Sequence, residues 1–228
     1  MVPNSAIPPR RYESPVRQAR AQRTRAHVVA TAGRLFAQHG YAGTSMRQIA
    51  AAAGVSLETV THTGRKADLL LAAFRDSFAG SPNSSDIGAL VGHVLPEDLS
   101  EDVTQFVPAA VARVADGIRR SLGIWRAFAV AAAADQTVGA VRAELAVARR
   151  HDITAWLQEF EAAGLLSERD AASRARLADA LGLIVSHEAY DHLTDVCGWP
   201  HEEYVEWAAA VVLNQLTLAG PDAVAPSA

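Results

Sequence analysis

Residues 44–60, TSMRQIAAAAGVSLETV, set two short apolar-striped segments on either side of a glycine, and this arrangement decides the fold. Ile49, Ala50 and Ala53 fall at i, i+1 and i+4, one face of a first helix, and Ala50 is small enough to let a second helix backbone approach. Gly54 permits the left-handed backbone that a tight turn needs. Val55 and Val60 are placed to plug the angle between the helices. Ser56 is positioned as N-cap of the second helix, with Glu58 in its first turn, where the helix dipole favours negative charge. Helix, turn and helix at this spacing is the arrangement that lays its second helix in a groove of DNA.

The charge distribution supports the same expectation. Over 228 residues the chain carries a net −4, which by itself does not suggest a partner made of phosphates. Residues 1–66, however, hold ten Arg and Lys against only Glu13 and Glu58, a net +8, so the remainder carries −12. A basic third beside an acidic remainder is expected of a DNA-reading head on a body that does not touch DNA, because phosphate neutralisation needs local positive charge. Half of the residues are hydrophobic, enough for one or two domains with a real core. The single cysteine, Cys197, excludes an intrachain disulfide, and no apolar run approaches the roughly 20 residues needed to cross a bilayer, so a soluble, cytoplasmic protein without membrane contact is expected. The N-terminal arginines have no apolar stretch behind them and read as a basic arm rather than a signal peptide.

Outward from the quoted stretch, Val28, Val29, Ala32, Leu35 and Phe36 make a helical stripe, predicting a helix from about Gln18 to His39 closed by Gly40. A fourth helix, Lys66 to Ala79, carries Leu70, Ala73, Phe74 and Phe78 on one side and ends before the breaker GSPNSS at 80–85. The rest shows helical periodicity and no alternating strand. Helices are expected near 98–121, 122–134, 138–163, 168–196 and 201–218, with 86–95 a loop or short helix. Residues 1–17, Pro-rich and polar, are expected to be a disordered basic arm, and 220–228 a disordered tail. The fold class is therefore all-α: an N-terminal three-helix helix-turn-helix DNA-binding domain (18–65) and a C-terminal helical ligand-binding and dimerisation domain (66–219).

These motifs resemble the TetR family of bacterial regulators. VVATAGRLFAQHGYAGTSMRQIA (28–50) is similar to the family's first helix and its entry into the second through Thr or Ser, Lys66-Ala67-Asp68-Leu69-Leu70 resembles the start of its fourth helix, and GWPHEEYVEWAAAVVL (198–213) the start of its last. Where the family has a phosphate-touching Tyr and a packing Phe after the recognition helix, this chain reads Val60-Thr61-His62-Thr63-Gly64-Arg65, one residue shorter. The resemblance implies a DNA face drawn from Arg20, Arg23, Thr44, Ser45, Arg47, Ser56, Glu58, Thr59, Thr61, His62 and Lys66, with Thr61 and His62 able to donate to phosphate in place of the Tyr. It also implies a homodimer on a near-palindromic, double-stranded operator, paired through 168–196 and 201–218 with Trp207, Val211 and Leu218 as anchors. The expected role is that of a repressor released by a small-molecule effector of unknown identity.

No enzyme, cofactor or metal is expected. The chain lacks G-x-G-x-x-G, G-x-x-x-x-G-K-[ST] and G-x-S-x-G. His187-Glu188-Ala-Tyr-Asp-His192 superficially suggests a zinc protease, but histidines five apart are turned about 140° from each other on a helix. His187 and Asp191 instead extend the stripe of Leu177, Ala180 and Ile184 and, with Trp125 and Phe128, are candidates to line a ligand cavity, against the plainer alternative of core packing. The competing function is an all-α enzyme or scaffold with a helix-turn-helix-like fold and no DNA role; specific, salt-sensitive DNA binding separates the two.

Overall fold

The computed structural model describes residues 15–80 and 103–217. They form α1 (Pro15–His39), α2 (Met46–Ala53), α3 (Leu57–Thr63), α4 (Lys66–Ala79), α5 (Val103–Ala134), α6 (Gln136–Ala162), α7 (Ala171–Ile184), α8 (His187–Asp191), a π-helical turn (His192–Val196) and α9 (His201–Thr217), with no strand among the described residues. The first helix starts at Pro15, so Arg17 is helical rather than part of an arm; the expected disorder of 1–14 and the loop at 86–95 fall outside the described residues, as does Leu218.

The short helices are set by local chemistry. At the start of α2, Ser45 Oγ accepts from the Gln48 amide at 3.2 Å while Gln48 Oε1 accepts from the Ser45 amide at 2.7 Å, two orphan donors satisfied reciprocally. Gly54 takes φ 63° and closes α2, and Ser56 Oγ then accepts from the Thr59 amide at 3.1 Å to open α3. Asp68 opens α4 in the same way, its Oδ2 accepting from the Arg65 amide at 2.9 Å.

The body departs from expectation twice. There is no helix boundary at 121–122: α5 runs unbroken for 32 residues. Ser121 turns its hydroxyl back on the Gly117 carbonyl at 2.8 Å, and the glycines on either side mark close approaches rather than a stop. A Cβ on Gly117 would lie 3.0 Å from the Phe78 carbonyl oxygen, and one on Gly123 3.2 Å from Ala37 Cβ, so these positions let α5 lie against α4 and α1. Conversely, the single helix expected over 168–196 is broken. Val185 leaves helical geometry at φ −98°, ψ 41°, and Ser186 caps a new helix, accepting from the Ala189 amide at 3.0 Å. His187 and Asp191 therefore do not prolong the stripe of Leu177, Ala180 and Ile184, and Ala180 is exposed.

Two apolar clusters form the core, and the first of them crosses the boundary at 65–66. One joins Val28, Phe36, Ile49 and Val60 of the head to Phe74, Ile124, Trp125 and Phe128; the other joins Phe78 and Ile118 to Leu157, Phe160, Leu181 and Tyr204. The division runs through α4, between Phe74 and Phe78, and through α5, between Ile118 and Ile124. A displacement of α4 is thus felt in both clusters, because close-packed interiors transmit strain.

Candidate nucleic-acid interface and ligand cavity

At 8 and 7 residues, α2 and α3 are too short to be stable alone. They are pinned to α1 by two side chains. Arg25 Nη1 donates to the Thr63 carbonyl at 2.8 Å, and His27 Nε2 lies 3.2 Å from the Ala53 carbonyl, so the last carbonyl of each helix gains a partner and a favourable positive or polar group at its negative end. Sequence reading counted Arg25 only as one of a basic run and missed His27, since no local pattern marks a bond to a residue 38 or 26 positions away. Between the exposed Arg17 and Arg20 of α1 and Thr59 and His62 of α3 lies an open groove, bordered by Arg25. Arg47 is exposed on the first turn of α2, and Glu58 on that of α3. A surface with these cations beside a projecting helix is shaped to follow a phosphate backbone.

Behind the head, a cavity of about 100 Å³ sits among α4, α5, α6 and α8. Phe74 and Phe78 of α4 form one wall, Trp125 of α5 and His187 another, and Arg149 and Ile153 of α6 a third. His187 is 5 % exposed and packed among rings, its centroid 4.6 Å from Trp125, 5.3 Å from Phe74 and 5.7 Å from Phe78. Its Nε2 is 2.8 Å from Ser121 Oγ. The same hydroxyl lies 2.8 and 3.2 Å from the Gly117 and Ile118 carbonyl oxygens, so the imidazole is tied to the middle of α5. Burial, and next the nearby charge of Arg149, push the imidazole pKa down to about 3, so the ring is neutral.

Residues 28–73, which run from the middle of α1 through most of α4, match the profile described as bacterial regulatory proteins, tetR family. The helix-turn-helix head is of the tetR family. Comparison with curated proteins gives no significant sequence match. Among solved structures, the chain is similar to a TetR-family regulator from Mesorhizobium loti (TM-score 0.67, 20 % identity, over 88 % of this chain and 98 % of that one). It is also similar to Salmonella enterica GusR (TM-score 0.67, 14 % identity, 92 % and 100 % covered). A third likeness is to NalD, the secondary repressor of the MexAB-OprM multidrug efflux pump of Pseudomonas aeruginosa (TM-score 0.60, 18 % identity, 87 % and 98 % covered). At these identities the likeness speaks to the fold, which extends through the body.

Within this tetR-type head the expected DNA-facing residues separate into three groups. Arg20, Arg23, Arg47, Glu58 and His62 are exposed on the head. Ser45, Ser56, Thr59 and Thr61 lie on the same helices but have their hydroxyls engaged: Ser45 and Ser56 in caps, Thr59 with Ser56 at 2.9 Å, and Thr61 on the Leu57 carbonyl at 2.9 Å. Thr44 is a correction. It is 1 % exposed, and its hydroxyl donates inward to the Leu35 and Gly40 carbonyls at 3.1 and 2.9 Å, tying the α1–α2 turn together. Lys66 is half-buried, its ammonium 4.2 Å from the centre of the Tyr41 ring, and burial lowers its pKa.

Of the expected ligand-lining residues, Trp125 and His187 reach the cavity wall. Phe128 is not on that wall; it is 1 % exposed and stacks on Phe74 at 5.8 Å, supporting the wall from behind. Asp191 is a second correction: it lies at the surface, accepting from Arg126 Nε at 3.0 Å, and links α5 to α8. Arg149, Phe74 and Phe78 were not foreseen there, although the helical stripe through Phe74 and Phe78 was. Among the described residues no helix is long and apolar enough to cross a membrane.

Proposed function

We propose that the chain is a homodimeric repressor that holds a near-palindromic operator and is released by a small molecule bound against α4. One observation carries this: Phe74 and Phe78 form a wall of the cavity, and only two residues separate the same helix from the recognition helix α3. A ligand that enlarges a cavity of about 100 Å³ presses on its walls, of which α4 is one, and a displaced α4 carries the head with it. Release follows if the ligand binds the displaced conformer more tightly, by no more than that difference in affinity.

A single head reads only a few base pairs, and two heads about one helical turn apart (~34 Å) read two half-sites, so the dimer supplies both affinity and register. The pairing surface proposed is α7 with α9, where Leu183 is 65 % exposed and Trp207 and Val211 are half-buried in the single chain. Arg47 and the groove between α1 and α3 supply phosphate contacts, and Glu58, Thr59 and His62 lie on the helix presented to base edges. A DNA-bound regulator of this kind acts in the cytoplasm. The test is selection of bound DNA from a random pool, followed by anisotropy titration and sedimentation of the complex. Recovery of an inverted repeat bound by two chains is expected; asymmetric sites bound by one chain would overturn the dimer, and no enriched site at any salt concentration would overturn DNA reading altogether.

A further inference from the structure

The cavity against α4 has a charged edge as well as an aromatic one. Arg149 lines it, and the guanidinium donates from Nη1 to the Gly182 carbonyl at 3.2 Å, a partner that supplies no counter-charge. Among the described residues no carboxylate forms an ion pair with Arg149 within 4.0 Å. Two charges act on it in opposite senses: Glu188 favours the guanidinium and Arg142 opposes it, and those two are already joined at 3.1 Å. Asp152 also lines the cavity and has an interaction of its own. Arginine does not deprotonate in proteins, so burial leaves a cation whose desolvation is recovered only when an anion is brought to it. One guanidinium beside a neutral imidazole matches a single negative charge; a phosphate dianion needs more donors than these.

The other end of the cavity is apolar. A second cavity of about 80 Å³, walled by Phe106, Val111, Trp156 and Val212, shares Val114, Ile153 and Val185 with the first, so only aliphatic side chains separate them. An apolar cavity of about 150 Å³ is enough to take a benzene-sized molecule. We infer that the site takes a small hydrophobic carboxylate, its anionic end paired with Arg149 and its apolar body lying against Phe74 and Trp125 and reaching past Ile153 toward Trp156. This rests on the proposal that the cavity is the effector site and adds the chemical class of the effector.

The experiment uses the full-length protein, with and without its selected operator. Octanoate and 4-phenylbutyrate are compared with octanamide and octylamine by thermal melting and by calorimetric titration. An acid is expected to raise the melting temperature where the matched amide and amine do not; octanoate alone doing so marks an acyl ligand, phenylbutyrate alone an aryl one. Replacing Arg149 by Met is expected to weaken acid binding about ten- to 150-fold, the loss of a hydrogen bond to a charged group, with Arg149→Lys recovering part. Equal binding of acid and amide, preference for the amine, undiminished acid binding by both Arg149 variants, or no response to either acid overturns the carboxylate. The wild-type acid–amide comparison stands even if an Arg149 variant does not fold. Arg149-dependent acid binding that leaves the operator complex intact keeps the ligand class and removes the effector role, whereas release of DNA by the amide or the amine keeps the effector role and removes the class.

Discussion

Lowering the pH from 7.5 to 5 should cost this protein stability through His187 in particular. In the folded chain its imidazole is neutral, with a pKa near 3, because it is enclosed by Phe74, Phe78 and Trp125; in the unfolded chain it returns to about 6.5. Between these values the unfolded state binds the extra proton, so stability is full above about pH 7 and falls as the pH drops through 6.5, continuing down to about 3. At pH 5 the unfolded state gains about 2 kcal/mol from protonating this one group, a sizeable part of a domain's usual stability of about 5–15 kcal/mol. His187→Gln isolates the effect, since the glutamine amide can still hydrogen-bond to Ser121 Oγ but does not titrate. Urea unfolding of both proteins at pH 7.5 and 5, at one protein concentration because subunit association adds to stability, gives the comparison. The variant should be the less stable at pH 7.5, with a difference that narrows by about 2 kcal/mol at pH 5. If the two proteins lose stability in parallel, His187 is not held neutral by its aromatic surroundings.

Arg47→Ala should weaken operator binding without changing the helical signal or the dimer; if Arg47 meets a phosphate, anisotropy titrations should show the salt slope falling by about one, and if it reads a guanine, about 1–3 kcal/mol of discrimination should vanish at one base pair. Removing residues 1–14 takes away Arg10 and Arg11 and should lower DNA affinity most at low salt, so equal affinities at low salt would show that these arginines do not meet DNA. Gly117→Ala should lower the melting temperature, because a Cβ there comes within 3.0 Å of the Phe78 carbonyl oxygen; overpacking of about 1–3 kcal/mol outweighs the gain of about 1 kcal/mol in helix propensity. A higher melting temperature would mean that the end of α4 yields without cost. Phe128→Ala should cost about 3–5 kcal/mol in chemical unfolding, since Phe128 supports the cavity wall from within the core.

The head was legible in the sequence because its decisive interactions span three or four residues. Ser45 with Gln48, Ser56 with Thr59, the left-handed Gly54 and the apolar face of α4 are each settled by residues one turn apart, and α4 spans the residues its periodicity indicated. The uneven charge was likewise a property of composition alone. Polar residues were harder to place, because an alternation of apolar and polar types does not say which polar group turns inward: Thr44 sits beside Ser45 yet closes a turn from inside, and Asp191 lies four residues after His187 yet reaches the surface. The body's breaks were misplaced for the same reason. Gly123 has the composition of a helix end but serves the approach of α1, while the stop after Ile184 is set by the turn at Val185 and the cap at Ser186. The cavity belongs wholly to the tertiary structure: His187 meets Ser121 across 66 residues, and Arg149 meets Gly182 across 33. Local caps and periodicity determined which segments are helices, whereas burial, pKa and the shape of the site depend on which segments pack together, a choice made by the summed contacts of distant side chains.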